Sequence, residues 1–407
     1  MDYYDNLETR DPAQRERELL ARLPKQVAHA RDHAPYFREA LAGIDPAAID
    51  SRAALARLPV LRKHELIELQ KSRRPFGGLA TSAWGRLGRV FASPGPIYEP
   101  EGRARDYWRT ARALYAAGLR AGDLVHNSFS YHMTPGAWLL EAGAHALGCT
   151  VFPGGVGQTE QQVQAMADLQ PDAYVGTPSF LRILLDKADE LGLQIPSLKK
   201  ALVSGEAFLP PVREALAARG VIGYQAYATA DLGMIAYETP AREGLVVDEE
   251  VILEIVRPGT GEPLPDGEVG EVVVTLFNPD YPLLRFGTGD LSAILPGISP
   301  CGRTNMRIKG WLGRADQTTK VKGMFVHPEQ VAAVVRRHPE IRRARLVVTN
   351  PGSTDAMTLH CEGSGDAALA AAIADSLREM TKLRGEVAFV SSLPNDGKVI
   401  SDERKYD

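Results

Sequence analysis

The chain has 407 residues, with 47 Lys and Arg against 51 Asp and Glu, which gives a formal net charge of −4. This length exceeds one ordinary hydrophobic core and predicts more than one domain. The near-balanced charge argues against a protein that binds nucleic acid through bulk positive charge. We therefore expect no nucleic-acid partner and favour small-molecule chemistry.

The three cysteines, Cys149, Cys301 and Cys361, lie far apart and lack the spacing of metal ligands. We expect neither a disulfide framework nor a structural zinc ion. The N-terminal residues contain no apolar leader, and the sequence has no apolar run of 18 residues. These features predict a cytoplasmic protein with no membrane partner.

The N-terminal third begins with helices and passes into an alternating pattern. Residues 11–43 carry apolar side chains at helical spacing, and Asp11-Pro12 is a typical cap and first turn. From about 87 to 230, short β-rich runs alternate with amphipathic helical segments, with Gly or Pro at the joints. This alternation predicts right-handed βαβ units and a parallel sheet. Ligands of such sheets bind beyond the carboxyl ends of the strands, so the following loops should carry the chemistry.

The last 160 residues have a different pattern. Residues 245–295 predict a small β region, with two alternating strands around a Pro/Gly/Asp turn cluster. After GWLGRAD, the sequence predicts strands and helices of a compact α+β domain of roughly 90 residues, an ordinary domain size. The predicted fold is therefore α/β, with a large N-terminal domain over 1–315 and a small C-terminal domain over 316–407.

The sequence around Asp290 by itself makes this residue a candidate for ligand binding. It follows an apolar run and a Gly-Thr-Gly turn, where a carboxylate can accept two hydrogen bonds from a ribose diol. A carboxylate that only stabilises the turn fits the same pattern. Arg314 and Asp316 are likewise compatible with an interdomain salt bridge and no further role.

Eight segments occur in a fixed order along nearly the whole chain: YYDNLETR, GDLVHNSFSY, GCTVFPGGVGQTEQQVQ, VGTPSF, DGEVGEVVVTL, RFGTGDL, GRAD and DGK. In these segments the chain resembles the phenylacetate-CoA ligases, a branch of the adenylate-forming superfamily. The resemblance implies that ATP and Mg²⁺ activate an aromatic carboxylic acid as an acyl-adenylate. The small C-terminal domain is then expected to swing, and the thiolate of CoA attacks the mixed anhydride.

The resemblance also implies roles for individual residues. Asp290 would hold the ribose hydroxyls with help from Arg314, and Asp316 would be the hinge of the mobile C-terminal domain. Lys398, in the DGK segment, would be the catalytic lysine that offsets the charge building up during adenylation. An ordinary solvated lysine near the C-terminus is the alternative interpretation of Lys398.

Further site residues follow from the matching segments. Aromatic side chains near strand ends are also common in protein cores, which is the alternative for the acyl-pocket candidates. The expected nucleotide-binding residues are Gly205, Glu206, Ala207, Tyr227 and Ala228, and the expected acyl-pocket residues are Phe129, Tyr131 and Phe180.

The resemblance fails at the phosphate-binding loop. The family has a Ser/Thr/Gly-rich turn that ends in Gly-Lys-Pro and cradles the phosphates of ATP. Here the position reads FASPGPIYEP over 91–100, which keeps Ser93 and Gly95 but contains three prolines without N–H donors. Glu99 stands where the lysine is expected, and an ionised Glu99 would repel a phosphate.

A second departure affects the motif Tyr-Gly-x-Ser/Thr-Glu, which here reads YATAD over 227–231. Ala230 has lost the hydroxyl expected at the α-phosphate. Asp231 replaces the magnesium-binding glutamate and is one methylene shorter. Aspartate still suits magnesium, which accepts one or two carboxylates together with waters. Asp231 is therefore a candidate catalytic residue and metal ligand.

Three functions remain open at this point. The first is an AMP-forming ligase that activates an aryl acid with ATP and transfers the acyl group to CoA. The second is an ATP-independent CoA-thioester, acyl-transfer or other repurposed enzyme on the same scaffold. The third is a non-catalytic homologue that binds an aromatic acid or nucleotide. The acyl group is not specified by the sequence. Relatives of this branch are often dimers, so a homodimer is one open arrangement.

Overall fold

In the computed structural model of the chain, the described residues are 2–315, 317, 319–321, 324–351 and 355–404. The chain divides into two compact units. Unit 1 consists of 1–253, 274–286 and 295–311, and unit 2 consists of 254–273, 287–294 and 312–407. The predicted boundary after residue 315 stays a prediction, and the residues on both sides of it belong to unit 2.

The helices of the described residues are short 3₁₀ helices and longer α-helices. Short 3₁₀ helices lie at Asn6–Thr9, Pro46–Ala48, Lys63–Glu65 and Trp84–Arg86. The α-helices of the described residues are α1 (Pro12–His33), α2 (Pro35–Ala40), α3 (Arg52–Leu55), α4 (Leu66–Ser72), α5 (Ala111–Ala116), α6 (Gly136–Leu147), α7 (Thr159–Leu169), α8 (Pro178–Leu191), α9 (Pro210–Ala218), α10 (Pro328–Arg337) and α11 (Ala367–Thr381).

The strands form the sheets that these helices cover. In the described residues they are β1 (Leu61–Arg62), β2 (Arg89–Ser93), β3 (Ile97–Glu101), β4 (Leu124–Asn127), β5 (Thr150–Pro153), β6 (Ala173–Gly176), β7 (Lys200–Val203), β8 (Ile222–Thr229), β9 (Gly233–Glu238), β10 (Leu245–Val247), β11 (Val251–Val256), β12 (Gly270–Leu276), β13 (Phe286–Ser292), β14 (Ile294–Leu295), β15 (Arg307–Ile308), β16 (Thr319–Val321), β17 (Met324–Val326), β18 (Arg343–Thr349), β19 (Ala356–Glu362), β20 (Glu386–Val390) and β21 (Ile400–Asp402).

The predicted N-terminal helix is α1, and it begins where the sequence indicates. The side chain of Asp11 accepts a hydrogen bond from the backbone N–H of Gln14 at 2.8 Å, and Pro12 occupies the first helical position. The Asp11 side chain pairs one of the N–H groups that have no partner at a helix start, and Pro12 has no N–H group to leave unpaired. The apolar stripe of the helix is buried at Leu19, Leu23, Val27 and Ala30.

The large sheet of unit 1 confirms the predicted parallel βαβ units. Its unit 1 strands are ordered β15-β10-β9-β8-β7-β6-β4-β5. Strands β5, β4, β6, β7 and β8 run parallel, whereas β9, β10 and β15 continue the sheet with antiparallel pairs. Successive residues of β7 point to opposite faces, because Leu202 belongs to one core cluster and Ala201 and Val203 to another. Both faces of the parallel strands are therefore buried.

Tight connections fix how each helix follows its strand. The side chain of Thr177 caps α8 by accepting from the backbone N–H of Phe180 at 3.3 Å, and Pro178 starts the helix directly after β6. Helix α6 ends at Gly148 with φ of +93°, and α8 ends at Gly192 with φ of +66°. Glycine suits these left-handed C-caps because it has no Cβ.

The C-terminal part of unit 2 is the predicted α+β fold. Its four-stranded sheet has the order β20-β19-β18-β21. Strands β18 and β19 are antiparallel, and β20 and β21 add parallel strands at the two sides. The core of this part includes apolar residues of α10, α11 and the sheet. In the predicted small β region, β11 and β12 are neighbours in one sheet, but both are buried along their whole length and do not alternate.

Close packing of α5 on α6 gives a stability prediction at Gly143. A Cβ added there would lie 2.0 Å from Oγ1 of Thr110 and 2.7 Å from the backbone N of Ala111. Replacing a mid-helix glycine by alanine normally adds up to ~1 kcal/mol of stability. We expect Gly143→Ala instead to lower the free energy of unfolding by about 1–3 kcal/mol, because the overpacked helix must shift.

Urea unfolding of the two variants Gly143→Ala and Gly136→Ala measures this effect. Gly136 lies on the same helix, and a Cβ there would make only an ordinary contact at 3.5 Å. Gly136→Ala should therefore be neutral or slightly stabilising. Equal effects of the two substitutions would contradict the close approach at Gly143.

Candidate functional site

Several predicted site residues lie beyond one edge of the large sheet. Strands β4, β6, β7 and β8 run parallel, so their carboxyl ends face the same edge. The residues that follow these ends include Phe129 after β4, Phe180 after β6, the 205–207 loop after β7, and Asp231 after β8. Tyr227 and Ala228 lie within β8, next to a register shift in its pairing with β9.

The predicted nucleotide loop contacts the neighbouring strand ends. Gly205 has a φ of +83°, and a Cβ added there would lie 3.5 Å from both the Phe129 ring and the Thr177 side chain. The Glu206 carboxylate accepts a hydrogen bond from the backbone N–H of Ser179 at 2.7 Å. Glycine at 205 therefore suits the left-handed backbone of this turn.

The other two acyl-pocket candidates make helix contacts. The hydroxyl of Tyr131 donates to Glu141 at 2.6 Å, and its ring packs edge-on against Trp138 at a centroid distance of 5.2 Å. Burial raises the pKa of the Tyr131 hydroxyl, and the Glu141 carboxylate raises it further. Phe180 packs against the buried cluster of α7, α8 and α9. Their assignment to an acyl pocket stays a prediction.

The degenerate phosphate loop is a β-hairpin. Strands β2 and β3 pair antiparallel, with Phe91 opposite Glu99 and Ser93 opposite Ile97. The connection contains Gly95 and the cis bond before Pro96. The backbone N–H of Tyr98 donates to the Gln70 side chain at 2.8 Å, so α4 covers the outer edge of the hairpin.

Glu99 belongs to β3 of this hairpin and is fully buried. Its carboxyl accepts hydrogen bonds from the Ser93 hydroxyl and, at 3.3 Å, from the Ser93 backbone N–H. Burial raises the pKa of Glu99 to about 8, and the nearby carboxylate of Asp231 contributes to the rise. Glu99 is therefore mostly neutral at pH 7, and the expected repulsion between an ionised Glu99 and phosphate is wrong at that pH. Both donors of Ser93 are occupied within the hairpin.

Lys63 is a site residue that the sequence analysis missed. Its ammonium lies 2.6 Å from Oδ2 of Asp231, whose side chain is fully buried. Lys63 stands in a short 3₁₀ helix after β1, 168 positions from Asp231 in the chain. A lysine after a two-residue strand carries no sequence signal for this pairing. Its charge also lowers the pKa of Glu99, although burial outweighs that effect.

The residues at Asp231 fit a weakly held magnesium ion. Oδ1 of Asp231 is buried and has no hydrogen-bond partner among the described residues. One carboxylate oxygen suits magnesium, which takes its other ligands from substrate phosphates and water. In the described part of the chain, no group of three His, Cys, Asp or Glu side chains could hold a metal ion. Any magnesium at Asp231 would thus depend on oxygen ligands from the substrate.

A second set of predicted residues lies in unit 2. Asp290 and Arg314 form an ion pair, with Oδ1 2.8 Å from Nη1. Asp290 lies inside β13 and not after it, which corrects the predicted placement beyond a strand and turn. Gly289 has a φ of +73°, and a Cβ there would lie 2.8 Å from the Arg314 guanidinium. Glycine before Asp290 therefore lets Arg314 approach the strand.

The loop that carries Lys398 also belongs to unit 2. The Gln317 side chain donates to the carbonyl of Gly397 at 3.0 Å and accepts from the N–H of Ile400 at 2.7 Å. The Arg345 guanidinium donates to the carbonyl of Lys398 at 3.0 Å. The Lys398 side chain is exposed. The predicted hinge residue, Asp316, lies outside the described residues.

Two further properties of the described chain bear on function. None of its helices has the length and apolar character needed to cross a membrane. The three cysteines are buried and not disulfide-bonded.

Comparison with known proteins identifies close relatives. A family model described as AMP-binding enzyme matches residues 105–276. The phenylacetate-coenzyme A ligase of Aromatoleum evansii is 33% identical over 361 residues, which cover 84% of this chain and 80% of the relative. The phenylacetate-coenzyme A ligase of Thermus thermophilus is 33% identical over 383 residues, which cover 89% of this chain and 85% of the relative.

A solved structure resembles the chain over nearly its full length. It is an open conformation of 2-hydroxyisobutyryl-CoA ligase in complex with 2-HIB-AMP and CoA, with a TM-score of 0.73 and 27% sequence identity. The match covers 98% of this chain and 93% of that structure. The mixed α/β architecture with a larger N-terminal and smaller C-terminal domain is therefore the adenylate-forming ligase fold.

The raised pKa of Glu99 gives a stability prediction. Between its ordinary value of 4.5 and about 8, the unfolded chain releases a proton that folded Glu99 keeps. The free energy of unfolding should therefore fall as pH rises through this window and level off above it. Relative to Glu99→Gln, which cannot titrate, the wild type should lose on the order of 3 kcal/mol between pH 5 and pH 8.

Urea unfolding of both proteins at pH 5, 6.5 and 8 measures this difference. Other titrating groups contribute equally to the free energy of unfolding of both proteins, so their contributions cancel in the difference. Near-ultraviolet circular dichroism checks that Glu99→Gln keeps its tertiary structure. A difference that stays constant across this range would mean that Glu99 is not held neutral.

Proposed function

Because the chain belongs to the phenylacetate-CoA ligase family, we propose that it activates an aromatic carboxylic acid as an acyl-adenylate and transfers the acyl group to CoA. In the first step the acid carboxylate attacks the α-phosphate of ATP and pyrophosphate leaves. In the second step the CoA thiolate attacks the acyl carbonyl and AMP leaves. The observation that carries the proposal is that Phe129, Gly205 and Asp231 each follow the carboxyl end of a strand in one set of parallel strands, with Gly205 beside the Phe129 ring.

The unit 1 residues supply the acyl and phosphate ends in this proposal. Phe129 offers an apolar wall beside Gly205, which suits the ring of an aryl acid. The Lys63 ammonium supplies the positive charge that the hairpin lacks, since Glu99 has replaced the expected lysine. Held beside Asp231, this cation would offset charge on the α-phosphate as the carboxylate attacks. Magnesium, when bound, would be held through Asp231 and would neutralise charge on the nucleotide phosphates.

The unit 2 residues supply the ribose contact and the catalytic lysine in this proposal. The Asp290 carboxylate, which is paired with Arg314, would accept hydrogen bonds from the ribose hydroxyls. Lys398 acts in the adenylation step, and Asp316 is the hinge about which the C-terminal domain turns between steps. Gly205, Glu206 and Ala207 contact the adenine, with Tyr227 and Ala228 at the adjoining strand.

A second function is favoured by the contacts of Ser93. Its hydroxyl and N–H both donate to Glu99 and are not available to a phosphate in this arrangement. Pro94 and Pro96 contribute no N–H donors at the turn. A CoA-thioester or acyl-transfer enzyme that does not release pyrophosphate fits this hairpin, since it needs the acyl and CoA sites but no cradle for the β- and γ-phosphates.

Two half-reactions test the ligase and the role of Lys398. We expect pyrophosphate release and thioester formation with aryl acids, ATP and CoA. Lys398→Ala should lower the adenylation rate about 10²- to 10³-fold, because a preorganised charge at the phosphate is lost. The same variant should convert a chemically prepared aryl-adenylate and CoA to thioester at a rate within a few-fold of wild type.

Lys25→Ala, which removes an exposed lysine on α1, is the matched control and should leave both half-reactions unchanged. Failure of the wild-type protein to form thioester from either ATP or a supplied aryl-adenylate would refute the ligase. Formation from the aryl-adenylate alone would favour the ATP-independent enzyme.

The hairpin gives a second test. The double substitution Glu99→Lys with Ala230→Thr restores the charge and hydroxyl of the family motif and frees the Ser93 donors. We expect it to raise the adenylation rate about tenfold or more at limiting ATP, because a cation replaces a neutral carboxyl near the phosphate. Pyrophosphate release as a function of ATP concentration measures the gain.

Glu214→Lys makes the same charge change on the exposed surface of α9 and should give no gain. Thioester formation from a supplied aryl-adenylate should be equal in all three proteins, since it bypasses the hairpin. If the double variant gains nothing while that second half-reaction stays intact, the phosphate end of the site has been rebuilt for chemistry without ATP.

A further inference from the structure

A groove on unit 1 contains none of the candidate site residues. Its volume is about 760 Å³, which lies within the ~300–1,000 Å³ typical of small-molecule sites. The groove is lined by the end of α1, by residues 81–86, by residues 103–104 and by residues 279–280. All of these segments belong to unit 1, so one unit forms the whole groove.

Hydrogen bonds tie the walls of the groove to one another. The His29 ring donates through Nε2 to the carbonyl of Pro279 at 2.8 Å, which joins α1 to the segment 279–280. The backbone N–H of Thr81 donates to the carbonyl of Asp280 at 3.0 Å. A Cβ added to Gly102 would overlap with the Asp280 carboxylate, so the turn before residue 103 packs on the same segment. The shape of the groove is therefore fixed by contacts within the protein and is available before a ligand binds.

Two arginines in the groove have donors to spare. Arg86 and Arg103 are exposed, and neither side chain has a hydrogen bond or ion pair to another described residue. Asp280 supplies the carboxylate of the lining, and this carboxylate accepts from the Ser82 hydroxyl within the protein. Arginine binds phosphate through charge-assisted and often bidentate hydrogen bonds. Two unpaired guanidinium groups on one groove therefore predict a phosphate group in its ligand.

The two histidines of the groove add hydrogen-bond acceptors. His33 donates through Nδ1 to the carbonyl of His29 at 3.0 Å, and the two rings are stacked at a centroid distance of 4.7 Å. A neutral imidazole that donates through one nitrogen accepts through the other. Nδ1 of His29 and Nε2 of His33 therefore remain for hydroxyl groups of a ligand. A sugar carries such hydroxyl groups, and a sugar phosphate carries them beside the charge that the arginines bind.

An exposed tryptophan stands next to the groove. Trp84 belongs to the same 3₁₀ helix as Arg86 and is 64% exposed. Its ring packs on Phe76 at a centroid distance of 5.5 Å. The base of a nucleotide can stack on an exposed aromatic ring, whereas a free sugar phosphate has no group that does so. Trp84 thus distinguishes two sources of the same sugar-phosphate chemistry.

We propose that this groove binds a sugar phosphate, with Arg86 and Arg103 as the ligands of the phosphate and His29 and His33 as acceptors for the sugar hydroxyls. The sugar phosphate is either a free molecule or part of a nucleotide. None of the lining residues is assigned to the acyl, phosphate or ribose end of the proposed reaction. The groove is thus a second binding site, and the inference does not rest on the proposed function.

Calorimetric titration of the full chain with ribose-5-phosphate, ribose and AMP tests the inference. A non-hydrolysable aroyl-sulfamoyl adenosine is kept at saturation to occupy the proposed adenylate site. We expect ribose-5-phosphate to bind about tenfold more tightly than ribose, or better, because ribose lacks the charged contacts. Arg86→Glu and Arg103→Glu should each weaken binding of ribose-5-phosphate about tenfold or more, since attraction becomes repulsion. Arg86→Lys keeps the charge and should lose only a few-fold, and His33→Ala should also lose a few-fold.

The titration with AMP identifies the source of the sugar phosphate. If the ligand is a nucleotide, AMP should bind more tightly than ribose-5-phosphate, and Trp84→Ala should abolish the difference because the base loses its stacking partner. If the ligand is a free sugar phosphate, the two molecules should bind alike and Trp84→Ala should change neither affinity. Both results support a sugar-phosphate site, provided that Arg86→Glu and Arg103→Glu weaken the binding.

Arg17→Glu is the matched control, since Arg17 is exposed on α1 and does not line the groove, and it should bind ribose-5-phosphate as the wild type does. Thermal unfolding establishes that each variant is folded. Equal affinities of the wild type, Arg86→Glu and Arg103→Glu would overturn the inference, as would a wild type that binds neither ribose-5-phosphate nor AMP under these conditions. A protein that binds either molecule through the two arginines but forms no thioester would reject the proposed function and leave the groove assignment standing.

Discussion

The arrangement at the hairpin depends on one constraint: two buried carboxyl groups share a single cation. Asp231 takes the Lys63 ammonium at 2.6 Å, and Glu99 lies close enough for the Asp231 charge to raise its pKa. A buried carboxylate without a partner costs several kcal/mol, so the second carboxyl is more stable with a proton. The protonated group then needs hydrogen bonds, and Ser93 supplies them. The contacts of Ser93 with Glu99 and of Lys63 with Asp231 together satisfy this balance of charge.

The fold could largely be predicted from the sequence because its signals are local. Asp11-Pro12 marks the start of α1, and the alternation of strands and helices marks the parallel sheet, since each depends on residues close together in the chain. The arrangement of the small β region was harder to predict from the sequence. Strands β11 and β12 are buried on both faces, and a strand buried in this way has no alternating pattern to define its register or its neighbours. The glycines around Asp290 predict a turn, whereas the backbone there continues in β13.

The candidate site was less predictable because its electrostatics arise from long-range contacts. The position of Glu99 in the phosphate motif was recognisable, but its neutral state depends on its burial and on Asp231, 132 positions away. Lys63 carried no signal, since nothing near it in sequence indicates a partner in the turn after β8. The charge expected from a residue type in the sequence therefore holds for a side chain that is exposed to water. When the side chain is buried, its neighbours decide whether it keeps that charge.

The contacts on either side of Asp316 bear on how a hinge there would work. Residues 312–315 are held to β13 by backbone hydrogen bonds, including Ala315 N–H to Gly289 O at 2.7 Å, and Arg314 adds its ion pair to Asp290. Gln317 is held to the other side, at Gly397 and Ile400. Rotation about residue 316 would therefore carry the Lys398 loop along with Gln317 and leave Arg314 with Asp290. A Cβ on Gly397 would lie 2.7 Å from Val269 and 3.1 Å from Leu291, so this loop is packed tightly on β13 and the start of β12. Such a rotation would separate apolar atoms and break the 3.2 Å hydrogen bond from Val269 N–H to Asn395, but it would break no ion pair among the described residues. The cost of moving the lysine therefore comes from lost apolar contacts and hydrogen bonds and not from broken ion pairs.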